Sequence, residues 1–380
     1  MMKKILLIHN KYRNTGGEDT AVLQEINLLK EKYEVKVLFF DNNIQNYPRQ
    51  LISFLTNRNS ESRKILEDTI NDFKPDIAYV HNTWFKASLE TFYILKKYNI
   101  KTLLKLHNFR YDCTNYFFVS GHLREKNKCL ACNLQKKNRQ IFNKYYPESY
   151  WKSFFIILYG RKYFKILKDF EIEILVLTNF HKRYLNQLGI SKDKVYVFPN
   201  YVESNEENFE AENSYLLYAG RISEEKGVEE LISTFIKSEL NNVGLKIIGQ
   251  GPMYKQLKQK YTTIDFLGEI DHSDVLEYIR NSLAVITCTK LYEGQPMLIC
   301  EASSLSVPSI YPETGGVSEF FPTNYALSFK QFDYSDLLEK INMLKNPSFV
   351  NDLGAMNKDF LSKYLKKDKL ISKFAEIANG

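Results

Sequence analysis

The strongest constraint in this chain is the alternation of short apolar runs with longer amphipathic stretches over most of its 380 residues. Apolar runs at residues 4–9, 35–40, 77–80, 102–106, 174–178 and 195–198 read as strands, and a second series follows at 215–219, 245–248, 265–267, 284–287 and 309–311. Between them, stretches such as 19–30, 88–97, 228–238, 253–260 and 274–281 carry helical periodicity. Strands apolar on both faces need cover on both sides, and joining parallel strands takes a crossover helix. The series breaks once, where YVESNEENFEAEN (201–213) turns acidic and aperiodic, the mark of a linker. The expectation is an α/β protein of two Rossmann-like doubly wound domains facing a central cleft. Residues 1–200 form the first domain, 201–214 the linker and 215–355 the second domain, with helices over 356–380 able to pack back on the first.

No apolar run approaches the roughly 20 residues of a membrane-spanning helix. The opening MMKKILLIHN has too short an apolar core for a signal peptide, so a cytoplasmic location is expected. Five cysteines, an odd number with three clustered, do not form a secreted disulfide framework.

Open α/β sheets bind ligands beyond the carboxyl ends of their strands, so the residues after each strand matter most. After the first strand, NTGGED places Gly16 and Gly17 before a helix, where backbone can approach a ligand or simply turn. After the seventh, GRISEEKG places Arg221 and Lys226 ahead of a helix, a pairing suited to a diphosphate or to a solvated basic loop. GQGP, with Gly251, follows the eighth strand, LYEGQPMLICEAS the tenth and TGGVSEF the eleventh. Within LYEGQPMLICEAS, Glu293 precedes a helix expected to open at Pro296, and Glu301 lies inside it. Carboxylates accept hydrogen bonds from hydroxyls, and free helix N–H groups favour developing negative charge. The second half therefore reads as a nucleotide-diphosphate site.

In this order and spacing, GGED, HNFRYDC, VFPNYV, GRISEEKG, GQGP, EGQPMLICEAS and TGGVSE resemble retaining glycosyltransferases of the GT-B fold, family 4, of the bacterial capsule, O-antigen and exopolysaccharide type. The resemblance runs nearly end to end. It implies a transferase (hexosyltransferase, EC 2.4 type) that moves a hexose or N-acetylhexosamine from a nucleotide-diphosphate sugar to a glycan acceptor in cell-surface polysaccharide synthesis, with the acceptor carried on polyprenyl diphosphate. It implies His107 and Glu293 as catalytic residues. It places Arg221 and Lys226 on the diphosphate, Gly251, Gly294, Gln295, Pro296, Met297 and Leu298 around the donor, and Glu301 on the ribose. Gly16, with Gly17, would approach the diphosphate from across the cleft. No cofactor is required, and a UDP-sugar is preferred as donor. Gln295 stands where an aromatic or apolar residue is common, and Ser303 and Ser304 where small apolar residues are usual.

Other readings start from the same residues. A GT-B sugar-nucleotide epimerase shares the fold, and a non-catalytic nucleotide-binding scaffold would be expected to have lost these charged residues. A nicotinamide dehydrogenase needs G-x-G-x-x-G, which NTGGED lacks. His81, in YVHNTWF, lines the cleft or packs beside Trp84; His9, His181 and His272 carry no motif. Cys113, Cys129 and Cys132 suit either a structural zinc or a loop packed by reduced thiols. The net charge is +7, and no nucleic-acid partner is expected. The cations gather at residues 133–168, with nine Lys or Arg, one Glu and ten aromatic residues. That stretch reads as a contact for an anionic membrane surface, peripheral on the inner face of the plasma membrane, or as buried helices with basic outer faces.

Overall fold

The computed structural model describes residues 2–11, 17–41, 52–53, 55–84, 86–109, 111, 150–203 and 214–380. The chain divides into two compact units, Met1–Tyr201 with Lys367–Gly380, and Val202–Lys366.

The first unit holds six parallel strands, β1 (Lys4–Lys11), β2 (Glu34–Asp41), β3 (Ile77–Asn82), β4 (Lys101–Leu106), β5 (Glu173–Val176) and β6 (Val195–Val197), in the order β2-β1-β3-β4-β5-β6. Every residue of β3 is buried, as is β1 from Ile5 to Asn10, because helices cover both faces. Those helices are α1 (Gly17–Leu29), α2 (Ser60–Phe73), α3 (Glu90–Lys97), α4 (Tyr150–Asp169) and α5 (Asn179–Gln187). Asn59 caps α2 by accepting from the amides of Glu61 and Ser62, and Thr178 caps α5 by accepting from that of His181. Among the described residues no helix is long and apolar enough to cross a membrane.

The second unit repeats the plan with β7 (Tyr215–Ala219), β8 (Gly244–Ile248), β9 (Asp265–Gly268), β10 (Ala284–Ile286), β11 (Ser309–Glu313) and β12 (Ser328–Lys330). Their order, β12-β11-β10-β7-β8-β9, is that of a dinucleotide-binding sheet, with the reversal between β7 and β10. In the first sheet the reversal falls between β1 and β3. The helices here are α6 (Val228–Ile236), α7 (Tyr254–Lys260), α8 (His272–Arg280), α9 (Met297–Ser304), α10 (Tyr334–Met343) and α11 (Pro347–Tyr364). The apolar runs read as strands all become strands. The sequence reading missed β12, a three-residue edge of which only Phe329 is buried, too short to show any period.

The last helix, α12 (Lys367–Asn379), belongs to the first unit, whereas α11 stays in the second. Phe374 of α12 is fully buried, with its ring centroid 5.6 Å from Tyr33, 5.2 Å from Tyr79 and 5.7 Å from Phe198. Tyr79 is on β3, so α12 completes the core beside the central strands. Replacing Phe374 with Ala removes a buried ring at a cost of about 3–5 kcal/mol. Hydrogen exchange of the β3 amides should accelerate accordingly; unchanged exchange would show that α12 is not part of this core.

Candidate active site

At the reversal of the second sheet, the loop after β7 meets the loop after β10. The Tyr218 hydroxyl donates to the Arg221 carbonyl (2.9 Å) and folds the first loop, which runs through a tight 3₁₀ turn, Glu224–Lys226, into α6. Lys226 Nζ then lies 2.5 Å from Glu293 Oε1, a residue 67 positions away. The Thr289 hydroxyl donates to the same oxygen (3.0 Å) and accepts from the Leu291 amide (3.2 Å). The backbone of Glu293 is gripped from TGGVSEF. Gly316 N donates to the Glu293 carbonyl (2.9 Å), and a Cβ on Gly315, at φ +59, would sit 2.2 Å from that carbonyl oxygen. The lysine and glutamate side chains are 29% and 20% exposed, so a ligand can reach both. A partly exposed ion pair contributes about 0–1 kcal/mol to stability, so exchanging it for a phosphate or a hydroxyl costs the fold little. Arg221 is exposed on the same loop.

α9 opens at Met297, one residue later than expected, because Pro296 holds the capping position in extended geometry (φ −70, ψ 110). Glu301 is nearly buried on α9, and its Oε1 lies 3.0 Å from His272 Nε2 at the start of α8. That hydrogen bond raises the His272 pKa above its ordinary 6.5, against an opposing effect of partial burial. Gly294 and Gln295 are buried, Met297 is nearly so and Leu298 is half-buried. Gln295 hydrogen-bonds the Cys300 thiol, whose pKa burial nonetheless pushes up. Gly251 serves packing between turns. A Cβ there would lie 2.2 Å from the Ile222 carbonyl, to which Met253 N donates at 3.1 Å.

In the first unit the carboxyl ends of β3 and β4 come together beside the other reversal. His107, immediately after β4, has Nε2 2.9 Å from Nδ1 of His81, with the rings stacked 5.3 Å apart at 22°. His81 therefore pairs with His107, while Trp84 packs edge-on against Tyr159 at 4.4 Å. Beneath them, Glu25 of α1 takes Lys105 Nζ on one oxygen (2.7 Å) and the Tyr79 hydroxyl on the other (2.5 Å). All three side chains are buried, and burial lowers the Lys105 pKa while Glu25 acts to raise it. His9 Nε2 lies 2.8 Å from Asp19 Oδ1. A small cavity of about 20 Å³ is lined by Glu18, Thr83, Trp84, His107, Asn108 and Tyr159 among others, with Asn108 Nδ2 donating to Glu18 at 3.3 Å.

Residues 201–359 match the model of the family described as glycosyl transferases group 1. That match lies almost wholly within the second unit. The protein named as the teichuronic acid biosynthesis glycosyltransferase TuaC of Bacillus subtilis is 30% identical over 142 residues, covering 36% of each chain. The amylovoran biosynthesis glycosyltransferase AmsD of Erwinia amylovora is 29% identical over 150 residues, covering 36% of this chain and 42% of that one. The match thus spans well under half the length of these relatives. Both units share their fold with solved structures at low identity. Anabaena HepE, in complex with UDP and glucose, superposes at TM-score 0.69 with 15% identity over 98% of each chain. Sucrose-phosphate synthase of Thermosynechococcus elongatus superposes at 0.70 with 16% identity over 99% of this chain and 98% of that one. The architecture is the two-sheet GT-B fold.

Of the residues singled out in the sequence, the second unit brings Lys226 and Glu293 into direct contact and places Glu301, Gln295 and Met297 on or beside α9. His107 belongs to the other unit, and Gly17 begins α1 there. Gly16 lies outside the described residues, as do Cys113, Cys129, Cys132 and the 133–149 part of the basic stretch. Among the described residues no group of three potential ligands could hold a metal ion. Sequence reasoning missed Thr289 and His272. Neither lies in a recognisable spacing, and each is recruited by a fold-dependent neighbour.

The raised His272 pKa carries a sign. Its stabilising contact with Glu301 is fully present below the unfolded value of 6.5 and fades as pH rises through the folded value. The imidazole is 42% exposed, so solvent screening keeps the effect small. An NMR titration should place His272 above 6.5 in the wild type and lower it in Glu301→Gln. Identical titrations in the two proteins would remove the pairing.

Proposed function

We propose that this protein transfers a hexose or N-acetylhexosamine from a nucleotide-diphosphate sugar to a glycan acceptor in surface-polysaccharide synthesis, with retention of anomeric configuration. The observation that carries this reading is the reachable Lys226–Glu293 pair, held by Thr289, at the β7/β10 reversal of the unit that matches the group 1 glycosyl transferase model. Lys226 and Arg221 supply positive charge for the leaving diphosphate, and the N-terminus of α9 adds its free amides. Glu293 orients sugar hydroxyls, and Glu301, already held by His272, accepts from the ribose. The bond from the anomeric carbon to phosphate oxygen breaks as the acceptor hydroxyl attacks the same face, and its proton passes to the departing phosphate. No enzyme carboxylate becomes glycosylated and no cofactor takes part. A UDP-sugar is the favoured donor, in keeping with the UDP and glucose of the HepE complex. The two relatives named for teichuronic acid and amylovoran synthesis support a polysaccharide product.

Thermal-shift measurements with UDP, GDP and ADP should single out UDP. Glu293→Gln and Lys226→Ala should each lower kcat/KM by about 10²–10³, the usual loss when a group that stabilises transition-state charge is removed. Full activity in both variants would dismiss the site, and an inverted product anomer in proton NMR would dismiss the mechanism.

The acceptor is carried, on this reading, by a polyprenyl diphosphate at the cytoplasmic face of the membrane, and α4 is its docking element. Tyr159, Ile166 and Leu167 anchor α4 in the core, while Arg161, Lys162, Lys165, Lys168 and Trp151 remain exposed, Trp151 at 74%. Cations near an anionic surface contribute about 1 kcal/mol each, and tryptophan favours the interfacial layer. Salt-sensitive sedimentation with anionic liposomes is expected. It should be lost when Lys136, Lys137, Arg161 and Lys162 are replaced by Glu, with UDP binding retained. Equal sedimentation of both proteins would rule this surface out.

A further inference from the structure

The hydrogen bond between His81 and His107 fixes a proton as well as a distance. Burial first, and then the nearby Lys105 and the other histidines, hold the pKa of both rings well below 6.5, so both are neutral at physiological pH. A neutral imidazole carries one N–H and one bare nitrogen, and which nitrogen is protonated follows from its partners. Across the 2.9 Å contact one ring must donate and the other accept.

His81 decides which. It is 4% exposed, and its Nε2 is sealed from solvent with no hydrogen-bond partner among the described residues. A proton on that nitrogen would be an orphaned buried donor, a rarer condition than an unsatisfied acceptor. His107 differs. Both rings line the cavity, but His107 is only partly buried and its Nδ1 is not among the sealed, partnerless atoms. We infer that His81 is a positioning residue that locks His107 into the Nδ1–H form: His81 Nδ1–H donates to His107 Nε2, which leaves His107 Nδ1–H as the donor offered to a ligand.

The consequence is chemical. With its Nε2 lone pair occupied and its Nδ1 protonated, His107 gives a hydrogen bond to a sugar oxygen and cannot accept the acceptor's proton. This role rests on the proposed transferase reading, in which the departing phosphate takes that proton; the tautomer itself rests only on the geometry.

Long-range proton–nitrogen NMR correlation on protein labelled at the imidazole nitrogens separates the two. In the wild type, His107 should show a protonated-type nitrogen at Nδ1 and a bare-type nitrogen at Nε2, the signals being assigned by their loss in His107→Asn. In His81→Phe this preference should disappear. In His81→Asn, whose amide N–H can take the place of Nδ1–H, it should return. With a competent nucleotide sugar, His81→Phe should lower kcat about tenfold, the equivalent of one hydrogen bond, with donor KM unchanged and with recovery in His81→Asn. A bare Nδ1 on wild-type His107 overturns the inference, whether or not the variants fold. Equal kcat in all three proteins overturns the positioning role. The spectra need no turnover, so the expected tautomer in a protein that transfers no sugar would overturn the proposed function instead.

Discussion

The first unit is organised around one buried carboxylate. Glu25 is almost wholly inaccessible, and a charge in that position is tolerable only if both oxygens are engaged. Lys105 from β4 takes one and the Tyr79 hydroxyl from β3 takes the other, so α1, β3 and β4 are held to a single arrangement beside the switch point. His81 stands two residues beyond Tyr79 on β3, and His107 two residues beyond Lys105, just past the end of β4. Their ring-to-ring contact is therefore set by the ion pair below it. The charged group in the core has a positional consequence that an apolar replacement of equal volume would not supply.

The second unit reaches its geometry by a different route. Lys226 and Glu293 are partly exposed. Their positions come from backbone, through the Tyr218 hydroxyl on the Arg221 carbonyl, the Thr289 hydroxyl on the Leu291 amide and the Gly315–Gly316 turn closed against the Glu293 peptide. A backbone-fixed frame around partly exposed side chains suits a site that must exchange an internal ion pair for a ligand.

What the sequence disclosed and what it concealed follow the same physical line. The central strands were readable because strands covered on both faces are continuously apolar, and KILLIHNK and IAYVHN show it directly. β12 was hidden because three edge residues have no period, and the start of α9 was misplaced because Pro296 at its entrance is extended. The glycines and charged residues of the loops could be recognised by type and spacing. Their partners could not, since Lys226 meets Glu293 across 67 positions and His81 meets His107 only through the register that pairs Val80 with Leu104. Gly251 is a further case, where the sequence could not show the Ile222 carbonyl packed against it.

The return of α12 to the first unit orders the birth of the molecule on the ribosome. Most of the first unit is synthesised before any of the second, yet Phe374, which fills the space between Tyr33, Tyr79 and Phe198, is made only after the whole of the second unit. The first sheet must wait in the tunnel's vicinity with an unfilled aromatic socket, while the second unit, contiguous from Val202 to Lys366, has all its residues in hand earlier. The usual N-terminal-first sequence of domain folding is thus inverted at this step, and a nascent chain of this protein would expose its apolar socket to chaperones until α12 has emerged.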